Sequence, residues 1–365
     1  RYLINRYIDR PARRQAGRKE INMDSEILVT LYDQLYALSD DEGFELNHIG
    51  WNSSFDGSAY TTEQMSEWRD ETADNVRLFD HGRILEVACG TGMIYFPLSE
   101  DADFYYGVDL SAEGIKFIEN HLSEKQKAMS RFGVMEAKDV DSIEYDDFDI
   151  GFINSATQYM GPAEMFADYV NRLISRVRHG GKVYLGDIKS AALQEMFYRT
   201  IELWGGPVDD LGEKIKTREK KDFEFYIPKK FFENLAAANP RIKHIEFMMK
   251  KGKAETEMNL YRYGVMIFLD EYEAPEYRKL EMSSGDLADL AKLLEENSDA
   301  DCLEITGFTS RLHGELKERL FGEKCPEEAV FIKDVCGMAE ERGYRTVASP
   351  AENECCERFS IRAWR

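Results

Sequence analysis

The chain has 365 residues, of which 43% are hydrophobic, and this is enough for a core of one large domain or two. Its 69 acidic and 47 basic side chains give a formal net charge of -22, which argues against nucleic acid as the main partner. No apolar stretch approaches the roughly 20 residues that a membrane span needs, and the start shows no signal-peptide pattern.

The N-terminal part begins with a segment whose charge is opposite to that of the chain. Seven basic residues lie within 1–19, and the only acidic residues within 1–20 are Asp9 and Glu20. We therefore interpret residues 1–23 as a basic arm or a linker. Because the chain starts with Arg1 and not with a methionine, we expect it to be either a piece of a longer protein or a trimmed chain. The predicted elements that follow are a helix at Asp24–Leu38, a polar loop at Trp51–Tyr60 and a helix at Thr62–Phe79 with Thr61 or Thr62 as its N-cap.

Residues 83–187 alternate short apolar runs with amphipathic segments of helical length. The predicted strands are Arg83–Val87, Phe104–Val108, Arg131–Glu136, Phe148–Ile153 and Lys182–Asp187. The predicted helices are Gly92–Leu98, Ala112–Leu122, Ala163–Val177 and Ala191–Trp204. This alternation predicts an α/β fold with a parallel sheet and helices on both faces, in which the segment 179–181 ends a helix and starts the fifth strand.

The pattern changes after Gly206. Residues 209–224 are rich in charge and are predicted to be a loop or lid, followed by a helix at Phe231–Ala238 and a β-hairpin of His244–Lys250 and Asn259–Leu269. Further helices and strands at Cys302–Phe308 and Phe359–Trp364 complete the chain. We therefore divide it into an arm (1–23), a helical N-terminal lid (24–80), a Rossmann-like core (81–206), a second lid with a sheet-completing hairpin (207–275) and an α+β extension (276–365).

The run I-L-E-V-A-C-G-T-G at residues 84–92 ends the first strand of this core, where open α/β sheets bind ligands. It is not a Walker phosphate loop, because no Lys follows Gly92, and Tyr95 is too large for the last position of a dinucleotide fingerprint. Asp109 ends the second strand and is suited to accept hydrogen bonds from ribose hydroxyls. A ribose without a clear pyrophosphate site, together with Glu86, favours S-adenosylmethionine, and a generic Rossmann loop with an acidic cap is the alternative.

Polar side chains follow the fourth strand in Asn154-Ser155-Ala156-Thr157-Gln158-Tyr159. Methyl transfer to an amine mainly requires that nucleophile and donor be held in line, and an amide, a hydroxyl and a ring suit that task. A polar loop before a helix is the alternative. The histidines and cysteines show no zinc spacing, so no metal is expected. The scattered cysteines indicate reduced thiols in a cytoplasmic protein.

Several separated stretches resemble one known family, the class I S-adenosylmethionine-dependent methyltransferase domains embedded in nonribosomal peptide synthetases, which are mostly N-methyltransferases. The stretches are Leu31–Tyr36, Gly50–Gly57 (G-W-N-S-S-F-D-G), Met65–Trp68, Ile84–Leu98, Tyr106–Ser111, Asn154–Tyr159, Gly186–Ser190 and Glu257–Tyr263. The match spans roughly residues 28–310. Two departures are Ala88, where the family usually has its first glycine, and Gly264, where it has an aspartate; the second leaves the identity of the substrate open.

The resemblance implies a cofactor site and an acceptor site. The implied cofactor-binding residues for S-adenosylmethionine, with S-adenosylhomocysteine as product, are Glu86, Ala88, Gly90, Gly92, Asp109, Leu110, Asp139, Val140 and Asn154. The implied catalytic residues are Asn154, Gln158, Tyr159, Asp187 and Glu257. The implied lid residues are Trp51, Asn52 and Tyr60.

The nucleophilic amine must lose a proton, and Asp187 or Glu257 is the expected acceptor, directly or through water. A helix N-cap role for Asp187 and core packing for Trp51 remain the alternatives.

Three functions follow from these interpretations. The first is N-methylation of an aminoacyl or peptidyl group on a carrier protein, with adjacent synthetase domains as partners and no nucleic acid or membrane. A basic patch at Arg1–Lys19 or Lys214–Lys221 would meet an acidic carrier. The second is a free-standing enzyme, or one that methylates oxygen or carbon of a small molecule. The third is a catalytically silent scaffold of the same fold.

Overall fold

The computed structural model describes residues 25–282, 286–350 and 357–365. The predicted basic arm, residues 1–23, lies outside the described residues.

The described helices and strands alternate through the first half of the chain. The helices are α1 Ser25–Tyr36, α2 Thr62–Arg77, α3 Tyr95–Leu98, α4 Ala112–His121, α5 Glu124–Met129, α6 Ala163–Arg176, α7 Gln194–Leu203, α8 Leu211–Lys221, α9 Lys229–Ala238, α10 Glu257–Tyr261, α11 Leu287–Glu296, α12 Arg311–Phe321 and α13 Ile332–Glu340. The strands are β1 Arg83–Val87, β2 Phe104–Asp109, β3 Ser130–Val134, β4 Phe148–Asn154, β5 Val177–Lys189, β6 Ile242–Met249, β7 Arg262–Leu269, β8 Arg278–Glu281, β9 Cys302–Thr309, β10 Arg345–Pro350 and β11 Arg358–Trp364.

Seven strands form the main sheet in the order β3-β2-β1-β4-β5-β7-β6. The first five run parallel to one another, and β7 is antiparallel to both β5 and β6. This confirms the predicted α/β fold class, with a mostly parallel sheet and a C-terminal antiparallel pair. Because β1 pairs with β2 on one side and β4 on the other, strand order reverses at β1, and a crevice opens at the carboxyl ends of these strands.

Successive side chains of β1 point to opposite faces of this sheet, and apolar residues occupy both faces. Leu85 and Val87 are buried in the hydrophobic cluster on one face, and Ile84 is buried in the cluster on the other. A strand that is apolar on both faces is typical of a sheet covered by helices on each side. The sequence pattern therefore positions β1 centrally, where its end faces the crevice.

A second sheet of four strands, in the order β10-β11-β9-β8, builds the C-terminal part with α11 and α13 around its own core. It is joined to the main sheet by buried and half-buried polar contacts. Arg362 in β11 donates to Glu246 in β6 at 2.7 Å, and Lys251 donates to the Thr346 carbonyl at 3.1 Å.

The structure corrects three of the predicted elements. The segment predicted as a loop at 209–224 contains helix α8, whose one buried side chain, Ile215, gives only a weak periodic signal. The segment 179–181 does not start a strand, because β5 already begins at Val177 and bulges at Gly180, where φ is 70°. The predicted hairpin is interrupted by α10, and strands β8 and β10 were not predicted.

Candidate active site

A cavity of about 1180 Å³ opens at the carboxyl ends of β1, β2 and β4. It exceeds the roughly 300–1,000 Å³ of a typical small-molecule site, so it has room for two ligands side by side. Most of the predicted site residues line it, namely Trp51, Asn52, Tyr60, Glu86, Ala88, Gly90, Asp109, Leu110, Asn154, Gln158, Tyr159 and Glu257.

The turn after β1 carries the first of these residues. Ala88 has a left-handed backbone with φ of 66°, a conformation that glycine adopts more readily, and this explains why a glycine is usual at this position in the resembling family. The turn is fixed because the amides of Ala88 and Cys89 both donate to the Val108 carbonyl, at 2.8 and 3.1 Å. The backbone at the end of β1 is therefore held open toward the cavity.

Glu86 and Asp109 place two buried carboxyl groups at this end of the cavity. Burial raises the pKa of Glu86 to about 8, and the Tyr105 hydroxyl donates to its Oε2 at 2.6 Å. Burial also raises the pKa of Asp109 to about 6, although its oxygens accept from the amides of Gly90 and Ser111, each at 2.8 Å. Each carboxylate oxygen has a second lone pair, so Asp109 can still accept bonds from a ligand.

Helix α1 covers this end and contributes two tyrosines, Tyr32 and Tyr36, that the sequence reasoning did not assign to the site. The helix is anchored by Asp33, whose Oδ1 accepts from the Ser111 hydroxyl at 2.6 Å and from the Glu113 amide at 3.2 Å. These donors lie at the N-terminus of α4, where a carboxylate is favourable. The spacing of the two aromatic residues, one helical turn apart, was the signal that would have found them.

Asn154 ends β4, lines the cavity and is 8% exposed. Neither its Oδ1 nor its Nδ2 has a hydrogen-bond partner among the described residues, and the same holds for the Tyr60 hydroxyl and the Gln158 Oε1. Buried polar atoms are nearly always paired in folded proteins. Four unpaired atoms that share one cavity therefore indicate a site built for a polar ligand.

The loop 51–60 closes one side of the cavity. Trp51 is half-buried with its ring 4.6 Å from that of Trp68, and the Asn52 amide donates to the Gly57 carbonyl at 3.2 Å. The ring of Phe55 stacks on that of Trp204 at 4.5 Å. Trp51 therefore both packs against the core and lines the site, so the two alternatives for this residue are compatible.

Asp187 differs from the other predicted acceptor residues, since it does not line the cavity and has no exposed surface. It is not a helix N-cap either, because it lies inside β5. Its Oδ2 accepts from the Arg262 Nη1 at 2.5 Å. Burial acts to raise the pKa of Asp187, but Arg262 and Lys250 outweigh it and hold the pKa below its usual value. Because Asp187 does not line the cavity, we expect it to hold Arg262 in place, whereas Glu257, which is also buried and ion-paired with Arg262, does line the cavity.

Glu257 remains at the cavity wall. Its Oε1 accepts from the Arg262 Nη2 at 2.8 Å, and its Oε2 accepts from the Ser54 amide at 2.9 Å. Arg262 thus joins Asp187 to Glu257, and it also lines the cavity. The sequence interpretation missed Arg262, because nothing local indicates which acids it pairs with.

Three predicted cofactor residues, Gly92, Asp139 and Val140, are not among the residues that line the cavity. A Cβ at Gly92 would lie 3.0 Å from the Ile118 side chain and its φ is 82°, so the turn and the packing of α4 require this glycine. Val140 is buried in the core, and Asp139 is exposed. The wall near β3 is formed instead by residues 135–138.

Two further features of the described residues, 25–282, 286–350 and 357–365, concern membranes and metals. No helix there is both long enough and apolar enough to cross a bilayer. No group of three or more His, Cys, Asp or Glu side chains within those residues is arranged to hold a metal ion.

Comparison with known proteins identifies relatives of this chain. Residues 78–223 match a family model described as a methyltransferase domain. A probable nonribosomal peptide synthetase of Salinispora arenicola is 30% identical over 293 residues, covering 80% of this chain and 4% of the relative. The enniatin synthetase of Fusarium oxysporum is 29% identical over 261 residues, covering 68% of this chain and 8% of the relative. The chain therefore spans less than a tenth of the length of these two relatives.

A solved structure of magnesium protoporphyrin IX methyltransferase from Synechocystis with bound S-adenosylhomocysteine is also similar. Its TM-score is 0.42 at 12% identity, covering 68% of this chain and 100% of that chain. A likeness this distant supports no statement about substrate.

Proposed function

Because this chain is an S-adenosylmethionine-dependent methyltransferase domain related to the methylation domains of nonribosomal peptide synthetases, we propose that it methylates the α-amine of an aminoacyl or peptidyl group tethered to a carrier protein. The observation that carries this proposal is one cavity with two chemically different ends. In the strand order β2-β1-β4-β5-β7, the buried carboxyl groups of Asp109 and Glu86 belong to β2 and β1, the unpaired amide of Asn154 ends β4, and Glu257 lies in α10, directly before β7.

The end of the cavity that contains Glu86 and Asp109 fits the methyl donor. A ligand that brings an ammonium group and ribose hydroxyls supplies a cation and further hydrogen-bond donors, in addition to the Tyr105 hydroxyl on Glu86 and the two amides on Asp109. Leu110, Met135 and Ala137 offer apolar surface for the adenine. When bound, S-adenosylmethionine supplies an electrophilic methyl group on a sulfonium.

The end of the cavity near Glu257 suits the amine that accepts the methyl group. We assign to the unpaired amide of Asn154 the orientation of groups near the reacting centre, and to Gln158 and Tyr159 that of the acceptor. An α-amine has a reference pKa of about 8 and must lose a proton to expose its lone pair. Glu257, with Arg262 and Ser54 holding its two oxygens, is the carboxylate we propose to receive that proton, directly or through water.

A longer synthetase is the proposed context for this domain. The relatives are nonribosomal peptide synthetases of which this chain matches a small part. Adjacent synthetase domains and a carrier protein are therefore the partners that we propose, and the loop 51–60 is the element that would cover a bound acceptor.

The test is intact-mass analysis of carrier proteins after incubation with the chain and S-adenosylmethionine. We expect a gain of about one methylene on an aminoacyl carrier and none on the matching hydroxyacyl carrier or the free amino acid. Methylation of the hydroxyacyl carrier would indicate an O-methyltransferase, and methylation of the free amino acid alone would indicate a free-standing enzyme. Absence of both methylation and donor binding would indicate a silent scaffold.

A further inference from the structure

Helix α8 differs in charge from the chain that contains it. Residues 211–221 hold five basic and two acidic side chains, whereas the whole chain has a net charge of -22. All its basic residues are exposed except Arg218, which is half-buried. The helix is therefore a local positive surface on an acidic molecule.

This helix lies at the rim of the cavity. Its inner side is anchored by the buried Ile215, which packs in a cluster with Phe55 of the loop 51–60. Arg218 lines the cavity and pairs with Glu202 of α7 at 2.5 Å. Since the exposed Asp56 and Gly57 also line the cavity, α8 and the tip of this loop border its opening together.

Three basic residues of α8 lie on one side of the helix, at positions i, i+4 and i+7, namely Lys214, Arg218 and Lys221. Lys214 and Lys221 flank the arginine and form no ion pair with any residue in the described part of the chain, whereas Lys216 pairs with Glu213 at 3.3 Å. The two lysines therefore present positive charges without an ion-pair partner among the described residues, beside the opening of the cavity.

We propose that Lys214 and Lys221 dock the carrier protein, and that the carrier face presented to them is acidic. This inference rests on the proposed function, because a tethered acceptor must bring its carrier to the opening of the cavity. An acidic face is repelled by most of a surface with this net charge and attracted by α8, so the charges orient the carrier with its tether over the opening. The partner is a protein and not nucleic acid, since the surrounding surface would repel a long polyanion.

The experiment compares the variant Lys214→Glu/Lys221→Glu with the control Lys125→Glu/Lys243→Glu. The control changes the net charge equally at exposed lysines that do not line the cavity. At low salt we expect the first variant to lower kcat/KM for the aminoacyl carrier about tenfold through KM, with kcat and the affinity for S-adenosylmethionine unchanged. The difference should shrink toward 1 M salt, where the Debye length is about 3 Å.

A carrier-free aminoacyl thioester separates docking from damage to the site. Both double variants should methylate it like the unmodified chain. The docking inference is overturned if the control variant weakens the carrier reaction as much, or if short duplex DNA competes as well as the carrier does. If the unmodified chain methylates no aminoacyl carrier, the proposed function fails before this inference is reached.

Discussion

The side-chain oxygen of Asn154 lies 2.0 Å from the point that a Cβ of Gly186 would occupy. These two residues are partners in the pairing of β4 with β5, so the missing side chain of one makes room for the amide of the other. The unpaired amide that lines the cavity thus depends on a glycine in the neighbouring strand.

Replacing Asn154 with alanine should separate function from stability. The amide has no hydrogen-bond partner among the described residues, so its removal should leave the Tm unchanged or slightly higher. Methyl transfer should fall by about 100-fold because the reacting groups are no longer oriented. Thermal unfolding and steady-state kinetics on the same sample check this prediction, and a large loss of Tm would contradict it.

Gly186→Ala should destabilise the chain by about 1–3 kcal/mol, because the new methyl group overlaps the Asn154 amide. The same substitution in an Asn154→Ala background should cost less, although contact with the Tyr184 ring at 2.8 Å remains. A double-mutant cycle from urea unfolding measures this coupling. Additive effects would show that the two residues do not compete for the same space.

Glu86 should make the protein without ligand less stable as the pH rises. Its folded pKa of about 8 lies above its unfolded value, so the folded state binds the Glu86 proton more tightly than the unfolded state does. The stability that this proton binding contributes is lost as the pH rises through 8. Between pH 6 and 8, above the pKa of Asp109, the free energy of unfolding should fall more steeply in the unmodified chain than in Glu86→Gln. A difference of one between the folded and unfolded pKa values corresponds to about 1.4 kcal/mol. Equal slopes for the two proteins would contradict the prediction.

Asp187→Asn should act on stability and not on proton transfer. Removing one partner of a buried ion pair typically costs about 3–5 kcal/mol, and here it leaves Glu257 as the ion-pair partner of Arg262 among the described residues. Since the folded pKa of Asp187 is depressed, its contribution is present above the unfolded pKa of about 4, and the stability gap should stay constant from pH 5 to 8. Urea unfolding across that range measures the gap.

The pH–rate profile of Asp187→Asn is the second readout of this prediction. Its shape should match that of the unmodified chain wherever both are folded. A stable variant whose profile had lost a basic group would restore Asp187 as the proton acceptor.

The central strands were predictable because their apolar side chains form short, clear hydrophobic runs in the sequence. The predicted bounds of β1 agree with the structure, and those of β2 and β4 differ by one residue at the end. By contrast, α8 buries only Ile215, so its periodic signal was hidden by its charges. Gly180 was interpreted as a strand start because glycine marks a special backbone angle without telling which element contains it.

The site was predictable where a motif and a strand end coincide. Asp109 and Asn154 end β2 and β4, and both line the cavity. Asp187 does not line the cavity, and no local pattern indicates its pairing with Arg262, which is 75 residues away. Gly92 and Val140 were assigned to the ligand; neither lines the cavity, and Gly92 packs against α4 while Val140 packs in the core.

Titration of S-adenosylmethionine into the protein by calorimetry tests the proposed donor site most directly. The unmodified chain should bind in a saturable manner, and Asp109→Asn should bind roughly 10- to 100-fold more weakly, since a hydrogen bond to a charged group contributes about 1.5–3 kcal/mol. The control Asp139→Asn, at an exposed residue that does not line the cavity, should bind like the unmodified chain. No binding by the unmodified chain, or unchanged affinity in Asp109→Asn, would contradict the account.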